Sequence, residues 1–139
     1  MSDAASPINA VGWFEIYVSD MDRAVAFYEA TLAVTLETLD MSGVPGGEGP
    51  SIEMRAFPMA LHAPGAAGAL VKMEGDGPVP GGNGGTLVYF SCEDCAVDAE
   101  RAAKAGGTVL QPKMSIGPYG FIAILHDTEG NTIGLHSQA

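Results

Sequence analysis

Apolar and polar side chains alternate in the run WFEIYV at residues 13–18, so that Phe14, Ile16 and Val18 form one row and Trp13, Glu15 and Tyr17 the other. This predicts a strand whose two faces differ in chemistry. Ser19 and Asp20 follow as N-cap candidates, and Met21, Ala24, Val25, Tyr28 and Leu32 then recur at helical spacing, which predicts an amphipathic helix of about three turns. Residues 34–40 and 51–57 read as strands divided by the Gly/Pro-rich run VPGGEGP at 44–50, and residues 68–74 make a fourth strand after a loop through Pro58 and Pro64. The first half therefore reads βαβββ.

The run GDGPVPGGNGG at 75–85 has almost no side chain able to pack and reads as a flexible connector. Beyond it the same order returns. Residues 86–92 (TLVYFSC) predict a strand, Glu93 and Asp94 a cap, and residues 95–105 an Ala-rich helix closed by Gly106 and Gly107. Strands at 108–114, 121–126 and 132–137 complete a second βαβββ, the last two joined by the hairpin turn DTEGN at 127–131. Asp94 lies 74 positions after Asp20, and that offset sets Trp13 over Leu87, Glu15 over Tyr89 and Ile16 over Phe90. A period this long, present twice, points to one supersecondary unit repeated and not to a solenoid.

Composition supports one folded unit. The chain of 139 residues is 47% hydrophobic and 17% charged, too apolar for a disordered chain, and nineteen glycines with nine prolines imply many tight turns between short strands. A single domain is expected over 1–139, with a first module at about 11–74, a second at about 85–137 and the connector 75–85 between them. The formal charge of −11 repels a phosphate backbone, which argues against nucleic acid as a partner and favours a cationic ligand. No apolar run is long enough to span a bilayer, and MSDAASPINA lacks the basic start and apolar stretch of a secretory signal, so a cytoplasmic protein with no membrane partner is expected. Cys92 and Cys95 have the spacing of a redox pair or half a zinc site. No second Cys/His pair exists for zinc, and the anionic Glu93 and Asp94 between them would raise a thiol pKa, so they read as structural.

The segments WFEIYVSDMDRAVAFYEATL (13–32), TLVYFSCED (86–94), AGGTVLQPK (105–113) and FIAILHDTEGNTIGL (121–135) together resemble the vicinal-oxygen-chelate superfamily, the group of glyoxalase I, bleomycin-resistance proteins and extradiol dioxygenases. The resemblance covers nearly the whole chain and implies an α+β fold, in which two βαβββ modules in one chain form a cleft. It implies a homodimer, since such proteins pair modules within or between chains. Metal-dependent members draw His or Glu ligands from the first and last strand of each module. A fold shared by lyases, dioxygenases and drug-sequestering proteins does not name the reaction.

The positions that the resemblance assigns to metal ligands depart from that pattern here. Seven positions before each cap Asp stand Trp13 and Leu87, and seven after the hairpin Asp127 stands Gly134. With those side chains a zinc, nickel or iron centre would lack its ligands, and no cofactor is expected. Two residues farther along each strand, on the same face, sit Glu15, Tyr89 and His136, with Met73 at the fourth position.

Glu15 and His136 are the candidate catalytic pair, and Trp13, Tyr17, Met73, Tyr89 and Tyr119 the candidate ligand-binding set. A carboxyl group beside aromatic rings has its pKa raised by partial burial, which suits proton transfer or binding of a donor. The plain alternative is that Glu15 and His136 hydrogen-bond each other and fill the cleft floor, with Trp13 and Tyr17 as core. His62 and His126 read as exposed, Asp22 and Arg23 as first-turn helix residues, and Tyr119 as part of a Gly/Pro loop able to close over a ligand. Three functions compete. The first is a metal-independent binder of a small molecule, the second a metal-dependent lyase, isomerase or dioxygenase with relocated ligands including Glu15 and His136, and the third a non-catalytic accessory dimer module.

Overall fold

Two aspartates start the two helices. Asp20 is extended and its side chain accepts the Arg23 N–H, while Asp94 is extended and accepts the Ala96 N–H. The computed structural model describes residues 8–45, 52–60, 62–75, 78–81 and 84–139. In chain order these form β1 (Val11–Tyr17), α1 (Met21–Leu32), β2 (Glu37–Thr38), β3 (Ile52–Ala56), β4 (Ala67–Met73), β5 (Thr86–Ser91), α2 (Cys95–Lys104), β6 (Thr108–Ser115), a short helical turn at Gly117–Tyr119, β7 (Phe121–His126) and β8 (Thr132–Ser137). The order βαβββ thus occurs twice.

The described strands make one eight-stranded sheet in the order β2-β3-β4-β1-β5-β8-β7-β6. In each half the first strand runs parallel to the last, β1 beside β4 and β5 beside β8. The halves join where β1 pairs antiparallel with β5, with Glu15 opposite Leu87, Trp13 opposite Tyr89, and Phe14 opposite Val88 between them. Under the 74-residue offset this pairing maps onto itself, so a local two-fold passes between Phe14 and Val88.

Both helices cover one face. Met21, Leu36 and Leu70 form the core under α1 together with Ile16, Tyr28 and Phe57; Cys95, Ala99, Ala123, Leu125 and Leu135 form the one under α2. The other face carries Tyr17, Met54, Ala69, Val71, Leu87 and Tyr89, with Trp13, Met73, Ile122 and Ile124 packed against them. This is the cleft face.

Two expectations shift. The strand read at 34–40 shrinks to Glu37–Thr38, because Leu36 is buried under α1 and its N–H is held by the Glu29 carboxylate at 2.8 Å. The connector read at 75–85 is tied at its far end, where the Gly85 carbonyl accepts the Tyr17 N–H at 2.8 Å; its residues 76–77 and 82–83, and residues 46–50 of the VPGGEGP run, lie outside the described residues.

Candidate functional site

Period-two alternation along β1 brings Trp13, Glu15 and Tyr17 to the cleft face, and the neighbouring β5 brings Tyr89. Their polar ends meet. The Glu15 Oε1 accepts the Tyr17 hydroxyl at 2.5 Å and the Tyr89 hydroxyl at 3.4 Å, and Oε2 accepts the Trp13 Nε1–H at 3.1 Å. Only 9% of Glu15 is exposed. Burial drives its carboxyl pKa above the ordinary value, and the hydrogen bonds from Tyr17, Trp13 and Tyr89 pull it back in part. Burial, followed by the adjacent Glu15 charge, pushes both phenols upward, so Tyr17 and Tyr89 stay protonated and act as donors. All three donors are neutral. A negative charge at Glu15 is solvated by dipoles here, and among the described residues no cation is paired with it.

The register explains what stands at the ligand positions named above. Tyr89 pairs with Gly134 as Glu15 pairs with Ala69, so the first-module counterpart of Gly134 is Ala69. Trp13, Leu87, Ala69 and Gly134 offer no metal-binding side chain. At Gly134 the space itself is taken: a Cβ there would lie 2.3 Å from Cδ1 of Tyr89 and 2.5 Å from Cε1. Among the described residues no three His, Cys, Asp or Glu side chains gather as a metal set. The donors present do not fit a metal centre.

The structure does not bring His136 to Glu15. His136 pairs with Ser91, four residues along β5 from the Leu87 that faces Glu15, a separation of about 13 Å along the strand. Its Nε2–H donates instead to the Tyr119 carbonyl at 2.6 Å. By the same register His136 corresponds to Val71 and not to Met73, which pairs with Ile52 at the margin of the cluster. Tyr119 ends the short helical turn before β7 and donates its hydroxyl to the Asp40 carbonyl at 2.8 Å. Leu39 and Met41, which sequence reasoning passed over, pack on the Tyr17 and Tyr89 cluster.

Cys92 and Cys95 are free and belong to the helix side, with Cys95 wholly buried. Burial, then the charges of Asp98, Cys95 and Asp94, pushes the Cys92 thiol up to about 11, the reverse of a redox-active thiol. Two open hollows lie on the helix side: a shallow groove beneath α2, lined by Phe90, Ala102, Leu125 and Leu135 with Asp98 and Arg101, and a charged one at Asp20, Asp22, Glu53 and Lys72.

Residues 10–135 match the model of the Glyoxalase/Bleomycin resistance protein/Dioxygenase superfamily. The protein CFP32 of Mycobacterium bovis and of Mycobacterium tuberculosis, which carries the provisional name of a glyoxylase, is 29% identical over 129 residues, 91% of this chain. The chain spans 44% of the length of those relatives. Among solved structures, methylmalonyl-CoA epimerase of Streptomyces coelicolor, in complex with 2-nitronate-propionyl-CoA, superposes with a TM-score of 0.61 at 21% identity, over 96% of this chain and 99% of that one. The methylmalonyl-CoA epimerase of Mycobacterium tuberculosis does so with a TM-score of 0.62 at 17% identity, over 99% and 93%. These structural likenesses concern the fold. No helix among the described residues is long and apolar enough to cross a membrane.

Proposed function

The chain belongs to the glyoxalase/bleomycin resistance protein/dioxygenase superfamily, and from that premise we propose that it binds a small cationic molecule on its cleft face, at Glu15, without a metal centre. The observation that carries this reading is the buried Glu15 carboxyl, held by three neutral donors and, among the described residues, paired with no cation. An ionised carboxylate in that setting gains most from a positive ligand group, because low local dielectric strengthens the attraction. Trp13, Tyr17 and Tyr89 add aromatic surface suited to an ammonium or guanidinium group. The formal charge of −11 enriches cations near the protein and speeds their arrival. Where the ligand carries a proton to be moved, Glu15 is the group able to hold it, since burial raises its pKa above the ordinary carboxyl value.

The test uses the lone tryptophan, Trp13, as reporter. Alkylammonium and guanidinium compounds, each paired with a neutral isostere, are titrated by fluorescence and calorimetry after chelator treatment. Cations are expected to bind at least tenfold more tightly than their isosteres, and Glu15→Gln to remove that preference. Equal affinity for cation and isostere would defeat the proposal. Stoichiometric divalent metal in untagged protein, found by elemental analysis, would favour the metal-dependent reading instead. An accessory role draws support from the filled cleft face, where Tyr17 and Tyr89 are each 6% exposed; it is the reading left if no small molecule binds and the chain pairs. Light scattering then tests the homodimer.

A further inference from the structure

We infer that residues 39–45 form a lid over the Glu15 site, latched to the opposite module by Tyr119. The inference deepens the binding reading above and rests on it for what the lid guards, but the latch itself can be tested without a ligand.

The lid is built from the first module. The Leu39 N–H is held by the Met54 carbonyl at 3.1 Å, Val44 N–H returns to the Met41 carbonyl at 3.0 Å, and Ser42 N–H to Asp40 Oδ1 at 2.9 Å. The resulting turn lays Leu39 and Met41 on the cluster that contains Tyr17, Met54, Val71 and Tyr89. The segment thus covers part of the sheet face that carries Glu15.

The catch is built from the second module. Two internal bonds stiffen it: Ile116 N–H to the Gly120 carbonyl at 2.8 Å, and His136 Nε2–H to the Tyr119 carbonyl at 2.6 Å. His136 thus serves as a positioning residue at the foot of the latch. From this base the Tyr119 hydroxyl reaches the Asp40 carbonyl at 2.8 Å, the one side-chain hydrogen bond between the two segments among the described residues.

Glycine on each bank permits the close approach. A Cβ at Gly117 would lie 1.8 Å from the Gly43 carbonyl oxygen, and one at Gly43 would lie 3.1 Å from Cδ of Pro118. A single neutral hydrogen bond between these two loop segments is a weak fastener, which suits a segment that opens in each binding cycle.

Hydrogen exchange of amides tests the latch. In Tyr119→Phe, protection of the Leu39 and Val44 amides is expected to fall about three- to tenfold, with β1 and β5 unchanged. Unchanged protection at 39–45, or a loss spread evenly over the sheet, would overturn the latch. A second variant tests the gating. In a Cys92→Ser background, Gly43→Cys with Pro118→Cys is oxidised to tie lid to catch, and binding of the alkylammonium compound used above is measured before and after reduction. Slowing of association by at least tenfold, reversed on reduction, is expected; equal rates in both states would overturn the lid. If the wild-type chain binds no such compound, the Glu15 reading fails, while the exchange result still decides the latch.

Discussion

Substituting Gly134 by alanine should destabilise the protein through a single steric conflict. Gly134 does not adopt a positive φ, so alanine meets no backbone penalty there. The added methyl would lie 2.3, 2.5 and 2.9 Å from Cδ1, Cε1 and Cγ of Tyr89, whereas carbon atoms normally rest at about 3.5–4.0 Å. The ring must give way by more than an ångström. It is 6% exposed, and its backbone is fixed between β1 and β8, so it has nowhere easy to go. Overpacking of this kind costs about 1–3 kcal/mol, and release of the long Tyr89–Glu15 hydrogen bond about 0.5 kcal/mol more. A loss of roughly 1.5–3.5 kcal/mol is expected, read from the urea midpoint at unchanged slope. The decisive control is the same substitution in a Tyr89→Ala background, where the methyl enters vacated space and should be neutral or stabilising. A loss under about 0.5 kcal/mol in the wild-type background, or an equal loss in both backgrounds, would refute the reasoning.

Because burial raises the folded-state pKa of Glu15 above its unfolded value near 4.5, the native state keeps a proton that the unfolded chain has lost between the two values. The associated stability is full below about pH 4.5 and lost as pH rises through the folded pKa, with a slope of at most about 1.4 kcal/mol per pH unit. Denaturation from pH 5 to 8 should therefore show the wild type losing stability relative to Glu15→Gln; a wild type that gains on the variant as pH rises would contradict it. Ala33, at the end of α1, has φ 55 in the left-handed region, so Ala33→Gly should raise stability by roughly 0.5–1 kcal/mol in thermal unfolding. With its thiol near 11, native Cys92 at pH 8 is about one part in a thousand thiolate. Its labelling by a disulfide reagent should be at least a hundredfold slower than that of free cysteine, on the order expected from thiolate content alone.

The parts of this fold that depend on near neighbours were legible in the sequence. Asp20 and Asp94 announce their helices because an N-cap acts within three residues, and Trp13, Glu15 and Tyr17 share a face because a strand has period two. Tyr89 followed from the repeat. What escaped depends on how strands are set side by side. His136 and Glu15 share a face, yet the β5–β8 register separates them, and no periodicity within a strand reports that offset. Leu36 lay within a plausible strand until a Glu29 carboxylate and the core under α1 drew it away. The contact of residues 39–45 with Tyr119 joins loops 79 residues apart, beyond what local pattern can reveal.

The two-fold seam between β1 and β5 makes Glu15 and Tyr89 equivalent by position and unlike in chemistry. Were each half made as a separate polypeptide, self-pairing of the first would bury two carboxylates face to face, whereas cross-pairing would set carboxylate against phenol. That asymmetry steers mixed assembly over like-with-like association, so the seam works as a lock and key between halves.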